Sequence, residues 1–107
     1  MNNLKIYNSI SNKKETFIPI DKNNIRVYAC GPTVYNYAHI GNARMAVVFD
    51  TIVKLLRYVF PKVTYVSNIT DIDDKIIKRS LEEKKTCEEI SETYLRIYNS
   101  EMKKLNV

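Results

Sequence analysis

Four residues with chemical uses lie close together in this chain: Cys30, His39, Gly41 and Asn42. His39 is the only histidine, and a lone histidine is more often a structural residue than a functional one. Beside Gly41 a functional role becomes the favoured interpretation, because an imidazole can donate a hydrogen bond to a phosphate oxygen whose charge grows in a transition state. The glycine allows close backbone approach, and the amide of Asn42 forms hydrogen bonds without titrating. The pattern therefore predicts a phosphate contact near His39.

The elements around these residues support this prediction. An apolar run, Val27–Ala29, leads to Cys30, and Gly31-Pro32 stops a strand there. A loop rich in tyrosine and asparagine follows, and a dense helical pattern begins near Gly41. A strand that leads through a loop into a helix directs free N–H groups and the positive end of the helix dipole at a ligand. His39 lies at that helix start.

The rest of the chain reads as alternating strands and helices. Leu4–Asn8 and Glu15–Ile20 alternate apolar and polar residues, which predicts an antiparallel pair. Strands are also predicted at Arg26–Cys30 and Val63–Val66, on either side of a helix over Gly41–Phe60, as in a βαβ unit. We expect this helix to be mostly buried, with one narrow polar stripe formed by Asp50, Lys54 and Arg57.

Two further helices are predicted after the second parallel strand. The first runs to about Lys84, and a carboxylate from Asp71, Asp73 or Asp74 should cap it; capping is favoured over Mg²⁺ binding by these three residues. Lys75, Lys78 and Arg79 are expected on its solvated face. The second helix begins after Thr86, where a capping-box spacing occurs. Its apolar stripe should pack on the sheet or on sequence outside this chain, and comprises Cys87, Ile90, Tyr94, Ile97, Tyr98, Met102 and Leu105.

Composition limits the possible classes. With 107 residues the chain has room for one domain at most, and 45% hydrophobic with 27% charged residues is ordinary for a globular protein. No signal core or membrane-spanning run is present in the sequence, which predicts a cytoplasmic protein. The two cysteines should be free thiols. The net charge of +5 is compatible with a polyanionic partner, although it also suits a merely lysine-rich chain.

Two segments carry a family resemblance. CGPTVYNYAHIGNAR, from Cys30 to Arg44, resembles the HIGH region of class I aminoacyl-tRNA synthetases in the form found in the cysteinyl-tRNA synthetase family, and NITDIDDKIIKR, from Asn68 to Arg79, resembles a second segment of that family. The resemblance implies an α/β fold, a Rossmann-type (HUP-like) parallel-sheet half-domain. Its parts are a β element at 4–20, a βαβ unit at 26–68, and a loop with two helices at 70–107.

The resemblance also implies roles for single residues. His39 and Asn42 would be catalytic and would bind ATP together with Gly41, although the family usually has a second histidine where Asn42 stands. Cys30, which otherwise reads as a small buried residue, would be one ligand of a Zn²⁺ ion that binds the thiolate of the substrate. Three further residues would contact the cysteine substrate, with ordinary turn hydrogen bonding an equal alternative for the two threonines: Gly31, Thr33 and Thr70.

The implied activity is cysteine activation by ATP with Mg²⁺ and transfer of the cysteinyl group to tRNA-Cys by a monomeric enzyme. The resemblance covers only the front of such an enzyme, so we expect the 107 residues alone to be inactive. Two alternatives stay open at this point. One is a relative that gives cysteine to a small amine, as in the mycothiol-pathway ligase, and the other is a non-catalytic nucleotide-binding or tRNA-binding fragment.

Overall fold

The computed structural model describes residues 3–107 and contains four strands and three helices within that range. They occur along the chain in this order: β1 (Lys5–Asn8), β2 (Lys13–Thr16), β3 (Ile25–Ala29), α1 (Ile40–Val59), β4 (Val63–Ser67), α2 (Asp74–Glu83) and α3 (Cys87–Lys104). The α/β class predicted from the sequence is confirmed. None of the helices in this range is long and apolar enough to span a membrane.

The first two strands form an antiparallel hairpin in which Lys5 pairs with Thr16 and Asn8 pairs with Lys13. The predicted second strand, Glu15–Ile20, is wrong in its bounds. The turn closes earlier than expected because Asn12 adopts a left-handed backbone with φ 56°, which asparagine tolerates better than most residues. The strand ends at Thr16, so the apolar residues after it lie outside the hairpin, and Ile18 and Ile20 are exposed.

The βαβ unit forms as predicted, with β3 and β4 parallel and in direct register from Ile25–Val63 to Ala29–Ser67. Pro61 follows the end of α1, where its missing N–H and fixed φ prevent further helix. The parallel sheet has two strands within residues 3–107, both of them belonging to this unit. The described residues therefore form the core of a parallel α/β arrangement, and the wider Rossmann-type sheet stays a prediction.

The prediction that α1 is mostly buried is wrong for residues 3–107. Three of its side chains are buried, Ala46, Val53 and Leu56, because the two-stranded sheet covers a single stripe of the helix. Five large apolar residues on its other faces are exposed: Ile40, Val47, Val48, Leu55 and Tyr58. The polar stripe is correct, and Asp50 forms an ion pair with Lys54 at 2.6 Å.

A second apolar cluster lies between α2, α3 and the loop after β3. Its buried members are Val34, Ile76, Ile90 and Tyr94. The first half of the α3 stripe thus packs on α2 and on that loop, because the loop brings Val34 between the two helices. Together these contacts connect the loop that holds His39 to both C-terminal helices.

The expectation that Arg79 lies on a solvated face of α2 is wrong. Its Nη2 donates to the hydroxyl of Tyr94 at 2.9 Å and lies 3.2 Å from a carboxylate oxygen of Glu83, and its guanidinium carbon is 5.6 Å from the centre of the Tyr94 ring. A long amphipathic side chain can bury its stem and keep its charge paired in this way. Lys75 and Lys78 are exposed, as predicted.

Candidate nucleotide and amino-acid site

The start of α1 is closed by a reciprocal cap made by two predicted site residues. The Nδ1 atom of His39 accepts a hydrogen bond from the N–H of Gly41 at 3.0 Å, and the Oδ1 atom of Asn42 accepts one from the N–H of His39 at 3.1 Å. This is the logic of a capping box, with an imidazole and an amide in place of the usual hydroxyl and carboxylate. The cap fixes both side chains at the helix N-terminus.

The cap also determines the tautomer of His39. Because Nδ1 accepts the Gly41 N–H, the neutral ring carries its proton on Nε2. His39 is exposed, so this N–H is available to a ligand in front of the helix. An imidazole held in this way is a hydrogen-bond donor, as phosphate binding requires.

The structure gives a second reason for a glycine at position 41, besides the close approach of a nucleotide. A Cβ atom at this position would lie 2.9 Å from both Cε1 and Nδ1 of His39, closer than carbon atoms normally approach. Any other residue would therefore push the imidazole away from the cap. For Asn42, the structure shows a role toward His39, with the Nδ2 amino group remaining as its donor for a ligand.

Gly31 follows β3 and lies directly against Asn68, which follows β4. Its N–H donates to Oδ1 of Asn68 at 2.6 Å, and a Cβ atom on Gly31 would overlap the backbone carbonyl of Asn68. Only glycine fits this position without moving the backbone. The prediction singled out Gly31 for substrate contact, whereas the structure gives it a packing reason, and Asn68 was not singled out at all.

Thr33 and Thr70 meet across the same edge of the sheet. They form an isolated parallel bridge, in which Val34 N–H donates to Thr70 O at 3.1 Å and Thr70 N–H donates to Pro32 O at 3.0 Å. The two threonines are therefore neighbours along the backbone. A contact with the amino acid substrate stays a prediction.

A cavity of about 140 Å³ lies between the loop after β3 and the C-terminal helices. Three predicted site residues line it: Thr33, His39 and Asn42. Lys75 and Tyr98 line it as well, and the sequence pattern assigned neither to the site. The only signal for Tyr98 was its place on the apolar stripe of α3, and Lys75 read as an ordinary surface cation. The cavity therefore lies between the loop after β3, which contains His39, and helices α2 and α3.

Tyr98 lies partly buried at this cavity. Burial raises the pKa of its phenol above the usual value near 10, and the neighbouring Tyr65 adds to the shift. The neutral hydroxyl is thus the form present at physiological pH. It offers a hydrogen bond without a charge.

Cys30 is exposed and follows β3 directly, so the alternative interpretation as a small buried residue does not hold within residues 3–107. A thiol at the carboxyl end of a parallel strand is accessible to a ligand, and thiolate sulfur is a preferred donor for zinc. Residues 3–107 contain no cluster of three or more histidine, cysteine or acidic side chains that could hold a metal ion. The described residues thus offer one suitable zinc ligand and do not complete a zinc site.

One of the three acidic residues near the start of α2 caps the helix, as predicted. Asp73 is the N-cap, and its Oδ2 atom accepts a hydrogen bond from the N–H of Lys75 at 3.1 Å. Asp74 occupies the first turn, where its negative charge interacts favourably with the positive end of the helix dipole. Asp71 is exposed in the loop. Helix capping therefore explains Asp73 without a metal ion.

Comparison with known proteins identifies several relatives. A curated cysteine–tRNA ligase of Wolbachia sp. subsp. Drosophila simulans (strain wRi) is 50% identical over 103 residues, which is 96% of this chain and 22% of the relative. One of Lachnoclostridium phytofermentans is 52% identical over 104 residues, and one of Ehrlichia ruminantium (strain Gardel) is 46% identical over 101 residues; these cover 97% and 94% of this chain. The chain spans about a fifth of the length of these relatives.

The family described as "tRNA synthetases class I (C) catalytic domain" matches residues 16–107. This match includes the parallel βαβ unit, the capped loop at His39 and both C-terminal helices. It agrees with the two sequence segments that carried the resemblance. Because the match covers most of the sequence, the chain belongs to the class I tRNA synthetase (C) catalytic domain family.

Proposed function

We propose that this chain is the part of a cysteine–tRNA ligase that contacts ATP and cysteine during amino-acid activation. In this reaction a carboxylate oxygen of cysteine attacks the α-phosphorus of ATP, and the bond to the pyrophosphate leaving group breaks. The products are cysteinyl-adenylate and pyrophosphate. Negative charge grows on the α-phosphate oxygens as the attacking and leaving groups share the phosphorus, so donors aimed at them stabilise the transition state.

One observation carries this proposal: the cap at α1 leaves His39 as an Nε2–H donor at the front of the helix. We assign to His39 a hydrogen bond to the α-phosphate that is stronger in the transition state than in bound ATP. Asn42 would hold His39 in place and offer its Nδ2 to a phosphate or ribose oxygen. The free N–H groups and dipole at the start of α1 favour the same negative charge.

The part of the site proposed to bind cysteine lies at the carboxyl ends of β3 and β4. We propose that Gly31, Thr33 and Thr70 lie against the substrate cysteine, and that Cys30 is one ligand of a zinc ion whose other ligands lie outside residues 3–107. Zinc binds thiolate far better than hydroxyl oxygen, which would separate cysteine from serine. The whole protein would use Mg²⁺ with ATP, charge tRNA-Cys, and act as a cytoplasmic monomer.

Titration with a nonhydrolysable cysteinyl-adenylate mimic tests the proposal on this chain. We expect the mimic to bind more tightly than AMP and to shift the Nε2 signal of His39 in ¹⁵N-edited NMR spectra. The variant Lys62→Ala, which changes an exposed residue after α1, serves as a control and should bind like the wild type. Equal affinity for the mimic and AMP, or no response at His39, would contradict the assignment.

A further inference from the structure

Lys75 is an exposed cation at the cavity that His39 and Asn42 line. Its Nζ atom lies 5.4 Å from the centre of the Tyr35 ring, which belongs to the loop between β3 and α1. A cation–π contact of this kind orients the ammonium without neutralising its charge. Within residues 3–107, Lys75 forms no ion pair with a carboxylate.

The position of Lys75 on its helix is electrostatically unfavourable. It is the second residue of α2, next to the positive end of the helix dipole, where acidic residues are preferred and cations are disfavoured. Neighbouring Asp73 and Asp74 follow the preference, and Lys75 does not. The cation–π contact with Tyr35 offsets part of this cost, and a residue that breaks a local rule at the wall of a cavity is a candidate for function.

The size of the cavity limits what could occupy it. A water molecule takes up about 30 Å³ of liquid, so the cavity of about 140 Å³ holds roughly five waters, comparable to a phosphate group with its oxygens. Pockets for drug-sized ligands are larger, on the order of 300–1,000 Å³. A phosphate group is therefore of a size that the cavity lined by His39 and Lys75 can take.

We propose that Lys75 binds a phosphate group of a polyphosphate ligand in the cavity that it shares with His39. The identification of this ligand as ATP or its pyrophosphate product rests on the proposed function, but the anion site itself does not. Lys75 would add a full positive charge to the hydrogen-bond donor that His39 offers at the same cavity.

Inorganic tripolyphosphate tests this proposal because it has no nucleoside and no amino acid. We expect it to bind the 107-residue chain in isothermal titration at low salt, with the loss of one charge-assisted contact in Lys75→Met weakening the affinity about tenfold. Lys75→Arg should stay within about threefold of the wild type, since it keeps the charge. Lys78→Met is the matched control, because Lys78 is exposed on the same helix and does not line the cavity; it should change affinity less than about twofold.

Three results would overturn the proposal: no binding to the wild type, wild-type affinity in Lys75→Met, or an equal loss in Lys78→Met, which would indicate attraction to net charge alone. The amide signals of Tyr35 and His39 report whether Lys75→Met leaves the loop intact. Binding of the cysteinyl-adenylate mimic is measured separately. Tripolyphosphate binding that depends on Lys75, without a response to the mimic, would contradict the proposed function and support the anion site.

Discussion

At the residue scale, the two glycines differ in the atoms that a side chain at each position would meet. A Cβ atom on Gly31 would meet the backbone of Asn68, which has little freedom to move, whereas a Cβ on Gly41 would meet the ring of His39, which can rotate away. The same substitution should therefore have different consequences at the two positions. Sequence patterns identified both glycines as special but gave no means of separating these causes.

We expect Gly31→Ala to lower the free energy of unfolding by about 1–3 kcal/mol, because the strands must separate to admit the methyl group. Gly41→Ala should cost less stability and instead displace His39 from its cap. Urea denaturation measures the first effect, and loss of the Nε2–H tautomer signal of His39 in NMR spectra measures the second. Wild-type stability in Gly31→Ala would show that the strand ends are not in close contact.

The raised pKa of Tyr98 predicts a pH effect with a definite sign. The folded state keeps this phenol protonated, while the unfolded chain releases the proton near pH 10, so the unfolded state gains stability as pH rises. Stability from this group is fully present below pH 10 and is lost above it. In thermal melts from pH 8 to 11, Tyr98→Phe should lose stability less steeply above pH 10 than the wild type does. Tyr58→Phe, which changes an exposed tyrosine, should follow the wild type; identical slopes for all three proteins would contradict the prediction.

At the element scale, hydrophobic periodicity and capping patterns predicted the three helices of residues 3–107, and the strand–helix–strand order predicted the parallel pair. Contacts between elements could not be predicted in this way. The pairing of Arg79 with Tyr94, for example, depends on how α2 and α3 approach each other in space. The early start of β2 at Lys13 depends on the left-handed backbone of Asn12, which an asparagine permits but which the sequence alone does not predict.

The packing of α2 on α3 gives a test with a matched pair of neighbours. Ile76 is 0% exposed in the apolar cluster, and the next residue, Ile77, is 45% exposed. Ile76→Ala should lower the free energy of unfolding by about 2–5 kcal/mol, whereas Ile77→Ala should cost well below half of that. Chemical denaturation measures both. Equal costs would mean that the helices do not pack in solution as they do in the structure.

At the scale of the whole molecule, residues 3–107 are less compact than a self-contained domain of this length. The radius of gyration is 17.0 Å, whereas a compact domain of this size has about 13 Å. Large apolar side chains such as Leu55 and Tyr58 on α1 and Ile20 after the hairpin are exposed. The chain also spans 22% of the length of its Wolbachia relative. We therefore expect the chain alone to show no cysteine-dependent exchange between ATP and pyrophosphate; measurable exchange would contradict this expectation.

The central claim is that the capped loop at His39 takes part in cysteine activation, and a hybrid protein tests it most directly. The chain replaces the matching segment of the Wolbachia cysteine–tRNA ligase, with which it shares 50% identity, and cysteine-dependent ATP–pyrophosphate exchange is measured. We predict that the hybrid is active with cysteine and that His39→Ala in the hybrid lowers the rate by about 100-fold or more, as the loss of a transition-state donor does. A folded hybrid without exchange, or a His39→Ala hybrid as active as its parent, would contradict the account.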